Sequence, residues 1–401
     1  MTGAGQLVRS GVYVSITGAA TVVLLSVNLR PAITSVGSVG MQIQAAPGMS
    51  PAAYAVLVSA PLWCFAVGGS LAWGLRARWG TNPVVGGALA ALAVALAVRV
   101  AGGPLLLLGG SVLACVAISV LGALLPVIVQ AGAPQERGTR MVCLTTALGV
   151  GSSAGALVTP VVAAQSSWQT GAACWALLAA AGWVVWRISA EAVNPHDVPR
   201  AGSTVGPRAL RPRGTVVALT LHFGALSGVT FTLMGWLTGI LQDRAGLPAG
   251  IANLHFAVVM VLGIPVSLAV PILAKRARDQ VGYMAGFAVV AALGVVGMLV
   301  LPSELPWLWT VLQGIGMGSV ALALTVITIR CGGDRDVGAG LSSVVQGVGY
   351  AIAAAVALGV GLVHSATRSW QWALVALLAV VAAQLVSGFV AGRSTTVTAD
   401  R

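Results

Sequence analysis

Residues 189–213 read "SAEAVNPHDVPRAGSTVGPRALRPR" and form the one long polar stretch in a chain of 401 residues. Pro, Gly, Ser and Arg dominate it, the composition of a flexible linker. The sequence on either side is apolar: 58% of all residues are hydrophobic and 7% are charged, with a mean hydropathy of +0.96. A soluble domain carries about 25% charged residues, and so few charges could not cover a soluble fold of this size. The chain reads as a polytopic membrane protein that its linker divides in two.

A membrane span needs about 20 mostly apolar residues. Six such segments precede the linker, at 13–41, 51–74, 82–101, 104–130, 139–163 and 168–188. Six follow it, at 214–241, 249–273, 281–301, 306–330, 337–362 and 369–391. The first segment could be mistaken for a signal peptide. The same apolar pattern recurs along the whole chain, so it reads as a retained helix. The two sets echo each other. A shift of 198 lays "GMSPAAY" (48–54) on "GLPAGIA" (246–252) and "LRAR" (75–78) on "LAKR" (273–276). The expected architecture is all-α, with an N-terminal six-helix half over 1–188, a linker over 189–213 and a C-terminal half over 214–401. Two similar halves of this kind describe the major facilitator architecture, with the substrate site at the midplane between them.

Basic residues set the expected orientation, because cytoplasmic loops are enriched in Lys and Arg. With the N-terminus inside, inner segments hold Arg9, Arg76, Arg78, Arg137, Arg140, Arg187, Arg200, Arg208, Arg211, Arg213, Lys275, Arg276, Arg278, Arg330, Arg335, Arg393 and Arg401. Outer ends hold only Arg99, Arg244 and Arg368. Both termini are therefore expected in the cytoplasm, in a bacterial cell membrane. This loop chemistry also accounts for the net charge of +12. No basic stripe interleaved with aromatics points to nucleic acid.

The remaining arginine lies in "LLSVNLRPAITSVG" (24–37). Arg30 is the only charged residue between Arg9 and Arg76, and the first acidic residue of the chain is Glu136. On a helix over 13–41 it would sit roughly 4–5 Å from the midplane, where insertion costs about 2.5–3.5 kcal/mol. Two readings offset that cost. Pro31 could loosen the helix and free carbonyls for the guanidinium. Alternatively, Arg30 faces a water-filled cavity and meets an anionic or polar solute. No Asp or Glu within the twelve segments offers a fixed partner.

Other candidates are weaker. Asn28 lies close by, about 200° round the helix. Trp63 and Trp236 could line a cavity. Gln346 and Tyr350, spaced i, i+4, share a face of the eleventh helix; Gln313, Thr145 and Thr146 are similar. His222 and His255 could carry a coupled proton, the other route being a proton carried on the solute. Arg76, Arg78, Lys275 and Arg276 occupy matching loops after the second and eighth helices and read as a cytoplasmic gate. The five cysteines form no C-x-x-C pair and read as small hydrophobes. There is no phosphate loop, metal-ligand cluster or catalytic triad, so neither an enzyme nor a cofactor or metal is expected. The chain is expected to work as a monomer.

The sequence also resembles a particular family. "NLRPAITSVG" (28–37) is similar to the N-L-R-P signature on the first helix of the cyanate and 2-nitroimidazole transporter family. "LLPVIV" (124–129), "FGALSGVTFTLMGWLTGIL" (223–241), "GIPVSLAVPILAKRARDQ" (263–280), "GLSSVVQGVGY" (340–350) and "GLVHSATRSWQWAL" (361–374) continue the likeness in order. The resemblance implies a secondary transporter of a small polar or anionic solute, with Arg30, Ser227 and Trp236 among its binding residues. The departures are Leu226 where the family has Gln, Phe231 for Tyr, Thr238 for Pro, and Gln130 where a basic residue is expected. A less polar pocket would instead suit an exporter of lipophilic compounds such as nitroimidazoles.

Overall fold

Proline and glycine punctuate an otherwise continuous apolar pattern, and the helices follow that punctuation. The computed structural model describes residues 19–131, 135–193 and 206–400. Arg9, Arg200, Arg401, residues 13–18 of the first segment and 194–205 of the linker lie outside the described residues. Twelve helices there are long and apolar enough to cross a membrane: α1 Ala19–Ser38, α2 Pro51–Trp79, α3 Thr81–Val98, α4 Pro104–Gln130, α5 Arg137–Gln165, α6 Trp168–Ser189, α7 Arg213–Ala245, α8 Ala249–Arg276, α9 Val281–Val300, α10 Pro306–Arg330, α11 Arg335–Thr367 and α12 Trp370–Ala391. Their starts are chemically marked. Ser50 caps α2 by accepting from the Ala53 amide at 3.1 Å, with Pro51 in the first turn. Asp334 does the same for α11 through the Asp336 and Val337 amides. Large apolar residues such as Leu105, Leu177 and Ile188 are exposed on the outer surface, as suits helices that face lipid.

The expected continuous first helix is instead notched. Residues 28–30 form a turn, and the helix resumes at Pro31–Ser38 with Arg30 as its N-cap. Pro31 has no amide proton to offer the Val27 carbonyl, so the ladder breaks there.

The two ends of the molecule can be told apart by their loops. One end carries the linker; the other carries residues 39–50 and 246–248. Across the halves, α2 packs on α11, α5 on α8 and α1 on α7. Glycine lets these backbones approach closely. A Cβ on Gly37 would overlap the Met234 carbonyl, and one on Gly235 would meet Val58.

Part of the linker differs from the flexible coil expected over 189–213. Leu210–Arg211 forms a short strand, β1, antiparallel to Thr398–Ala399, β2, near the C-terminus. Leu210 is buried, and Arg211 pairs with Asp400 at 2.9 Å. Close by, the Arg330 guanidinium donates to Gln280 Oε1 at 2.6 Å and to the Gly392 carbonyl at 2.9 Å, joining the ends of α10, α9 and α12. This end of the linker is therefore fastened to the C-terminal half.

Candidate functional site

The break in α1 puts two positive features at one level, about halfway along the helix. One is the N-terminus of the Pro31–Ser38 segment, the positive end of its dipole. The other is the half-buried Arg30 side chain, which makes no hydrogen bond or ion pair with any described residue. Its guanidinium carbon lies 5.7 Å from the centre of the Phe231 ring on α7, in the opposite half. Tyr350 of α11 reaches the same place through Phe65, whose ring lies 5.9 Å from Phe231 and 5.4 Å from Tyr350. The idea that Arg30 caps carbonyls loosened by Pro31 finds no support in this arrangement.

A second arginine contacts the same segment. Arg99, just past α3, is fully buried. It donates to the Ala32 carbonyl at 3.0 Å, to Ser35 Oγ at 3.1 Å and to the Ala172 carbonyl at 3.0 Å. A guanidinium keeps its proton even when buried, so these are bonds from a cation. Arg99 also borders a cavity of about 20 Å³ with Ala32, Phe231 and Met234, which has room for about one water.

Aromatic rings from both halves lie around Arg30 and beyond it along the helix axes. Around Arg30 and toward the linker end, Phe65 of α2 sits 5.9 Å from Phe231 and 5.4 Å from Tyr350. Tyr350 in turn lies 5.0 Å from Phe223. Toward the other end, Trp236 meets Tyr54 edge-on at 4.7 Å and Trp370 at 5.2 Å, and His364 stacks on Trp370 at 3.7 Å. Two hydrogen bonds join the halves at this second layer. The Tyr54 hydroxyl donates to the Gly235 carbonyl and the Thr238 hydroxyl to the Gly37 carbonyl, both at 2.8 Å. Thr238 stands where the resembling family has proline, so this departure supplies a cross-half bond.

The sequence candidates fall into two groups. Arg30, Phe231 and Tyr350 come together at the interface between the halves. Ser227 lies one turn from Phe231 on the same face of α7, buried, and its hydroxyl has no partner among the described residues. Gln346 is on the Tyr350 face but donates to Ser342 within its own helix at 2.6 Å.

The other binding and proton-carrier candidates are corrected. Asn28 bonds the Leu24 carbonyl and abuts Gly182 of α6, inside its own half. Trp63 is 46% exposed on a stripe with Val56, Val67 and Leu71, on the outer surface and away from the cavity. Trp236 belongs to the ring layer and not to the cavity lining. His222 is buried against α12 with Nδ1 2.9 Å from the Gln384 carbonyl. His255 is buried beside Thr310 and stacked on Trp307 at 3.6 Å. Neither histidine borders the interface, so neither is retained as a proton carrier. Gln313 bonds the Ala291 carbonyl and Thr145 the Met141 carbonyl, both inside their own halves. Arg78 rests on the neighbouring Trp79 and Arg76 on Trp73, while Lys275 and Arg276 are exposed at the end of α8. The supposed loss of polarity at Leu226 also falls away, since Leu226 lines a small internal space of the C-terminal half with Gln313 and Gln384.

Sequence reasoning missed Arg99, Tyr54, Phe65 and Phe223. Arg99 had a signal: it is one of only three basic residues on the side where they are scarce.

Two packed six-helix halves around a mid-depth cation with no partner among the described residues suit a multi-pass membrane transporter. Residues 19–354 match the Major Facilitator Superfamily, and the chain belongs to that superfamily. It is 29% identical over 376 residues to the uncharacterized transporter YycB of Bacillus subtilis, covering 93% of this chain and 92% of that protein. It is 27% identical over 385 residues to the 2-nitroimidazole transporter of Escherichia coli, covering 93% and 95%. It is also 27% identical over 367 residues to the cyanate transport protein CynX of the same organism, covering 89% and 93%. Among solved structures, a bacterial homologue of the lysosomal transporter Spinster matches with a TM-score of 0.74 at 14% identity, over 96% of both chains. The nucleoside transporter NupG matches at 0.69 and 14% identity, over 94% of this chain and 97% of that one. These last two speak for the fold.

Proposed function

We propose that the chain is a secondary transporter of a small anionic solute, working as a monomer by alternating access, with Arg30 as the main electrostatic contact. The observation that carries this reading is a mid-membrane guanidinium with no partner among the described residues, at the positive end of a half-helix. Broken helices of this kind aim their N-termini at anionic groups of the cargo in other transporters. The relatives named for cyanate and 2-nitroimidazole transport support a small solute.

With both termini inside the cell, the layer of Tyr54, Trp236 and Trp370 closes the outer side. The halves would then rock about Arg30, opening one ring layer as the other seals. Binding drives this motion only through different affinities in the two states. With both packed histidines set aside, a proton carried by the solute is the remaining coupling route of those the sequence offered.

A second reading, export of lipophilic compounds, draws on the rings around Arg30 and on Phe231 in place of tyrosine. Uptake and efflux of radiolabelled solutes in cells separate the two. If Arg30→Ala leaves the transport of every accepted solute unchanged, the anion site is wrong.

A further inference from the structure

The rings around Arg30 and toward the linker end are unequally divided between the halves. Phe65 belongs to the N-terminal half, while Phe231, Tyr350 and Phe223 belong to the other. Phe65 must therefore part from Phe231 and Tyr350 when the halves move. What opens between them is a slot with an aromatic ring on each wall. Phe231 is also the ring beneath the Arg30 guanidinium, at 5.7 Å. The slot and the cation are thus adjoining parts of one site.

Resting on the reading of Arg30 as the solute contact, we propose that the preferred cargo is a planar aromatic monocarboxylate. The guanidinium fork matches a carboxylate through two parallel hydrogen bonds. A flat ring attached to that carboxylate would take the place of Phe65 against Phe231 and Tyr350 once the slot opens, edge-on or offset as aromatic pairs prefer. A small inorganic anion would satisfy Arg30 and leave the slot unfilled. An aliphatic carboxylate of equal size would fill it without the ring–ring geometry. The site takes one negative charge and no positive one. The described acidic residues lie at helix ends and in loops, among them Glu136, Asp243, Asp279, Glu304 and Asp336, so an amino acid's ammonium group would meet Arg30 and no counter-charge.

The test uses the purified full-length protein in detergent. Calorimetric titration compares benzoate, cyclohexanecarboxylate and cyanate on the wild type, on Arg30→Gln and on Phe65→Leu. The expected order on the wild type has benzoate about tenfold tighter than cyclohexanecarboxylate, the size of about one aromatic contact. Phe65→Leu is expected to shrink that ratio to about threefold or less, and Arg30→Gln to abolish binding of both carboxylates. Equal affinities of the wild type for the two carboxylates, both abolished in Arg30→Gln, would overturn the aromatic preference and leave the anion site standing. Absence of benzoate binding while cyanate still requires Arg30 would do the same. Anion binding that survives Arg30→Gln would overturn both. The wild-type comparison decides the preference even if Phe65→Leu does not fold.

Discussion

Arg30 and Arg99 flank the same eight residues, Pro31–Ser38, and are in opposite chemical states. Arg99 lies against the side of that segment and bonds Ala32, Ser35 and, on α6, Ala172. Arg30 stands at its N-terminus and bonds nothing described. A buried cation with its donors satisfied acts as a cross-brace: it holds α1 against α3 and α6 within one half. A cation with open donors at the seam between halves is costly to keep unless something transient offsets the cost. On the proposed reading of Arg30, the difference separates structure from function in two residues of the same type in the same half.

The sharpest way to break that comparison is to remove each arginine in turn. Arg30→Ala is expected to lower transport efficiency by about 100-fold, the equivalent of one charged hydrogen bond of about 3 kcal/mol. Its thermal midpoint in detergent should stay within a degree or two of the wild type, because no native bond is removed. Initial rates in proteoliposomes and a melting curve read both quantities. Arg99→Ala should give the reverse. Removing the three bonds of a buried cation, and leaving the space of its side chain empty, is expected to cost about 2–4 kcal/mol of stability, while transport per folded molecule changes little. If Arg99→Ala melts like the wild type and abolishes transport, the roles have been assigned the wrong way round.

A smaller effect is expected at the far ring layer. Tyr54→Phe with Thr238→Val deletes the two cross-half hydrogen bonds, at about 1 kcal/mol each. The closed population should fall, raising the labelling rate of a cysteine introduced below that layer by up to about 30-fold. An unchanged rate would mean that ring packing alone holds the layer shut. The smallest effect concerns His222→Gln, which is expected to leave the pH profile of transport in place, since the ring is packed against α12 and not in the pathway. A shifted profile would restore His222 as a proton carrier.

How much of this was legible in the chain depends on the kind of information each feature needs. The spans, the two halves and a weak point at Pro31 follow from properties that run along one dimension. Bilayer thickness sets the length of an apolar run, and proline removes a backbone donor wherever it stands. Arg30, the centre of the proposed site, was legible for the same reason: a charge in an apolar run is conspicuous without any fold. Tyr350 was found from its spacing on a helix face.

Facing was not legible. In a soluble helix, polar and apolar sides tell inside from outside. Here lipid and core are both apolar, so Trp63 on the outer stripe and Trp236 in the ring layer look alike in sequence. His222 and His255 read as titratable candidates until their partners across the C-terminal half came into view. Arg99 looked like an ordinary loop arginine until α1 and α6 were seen to supply its acceptors. The sequence by itself determined the helices, their order and the cation at mid-depth. Only the tertiary structure decided which residues meet across the halves, because that depends on how helices rotate against one another, and rotation is set by small-residue contacts such as Gly37 on Met234 and Gly235 on Val58.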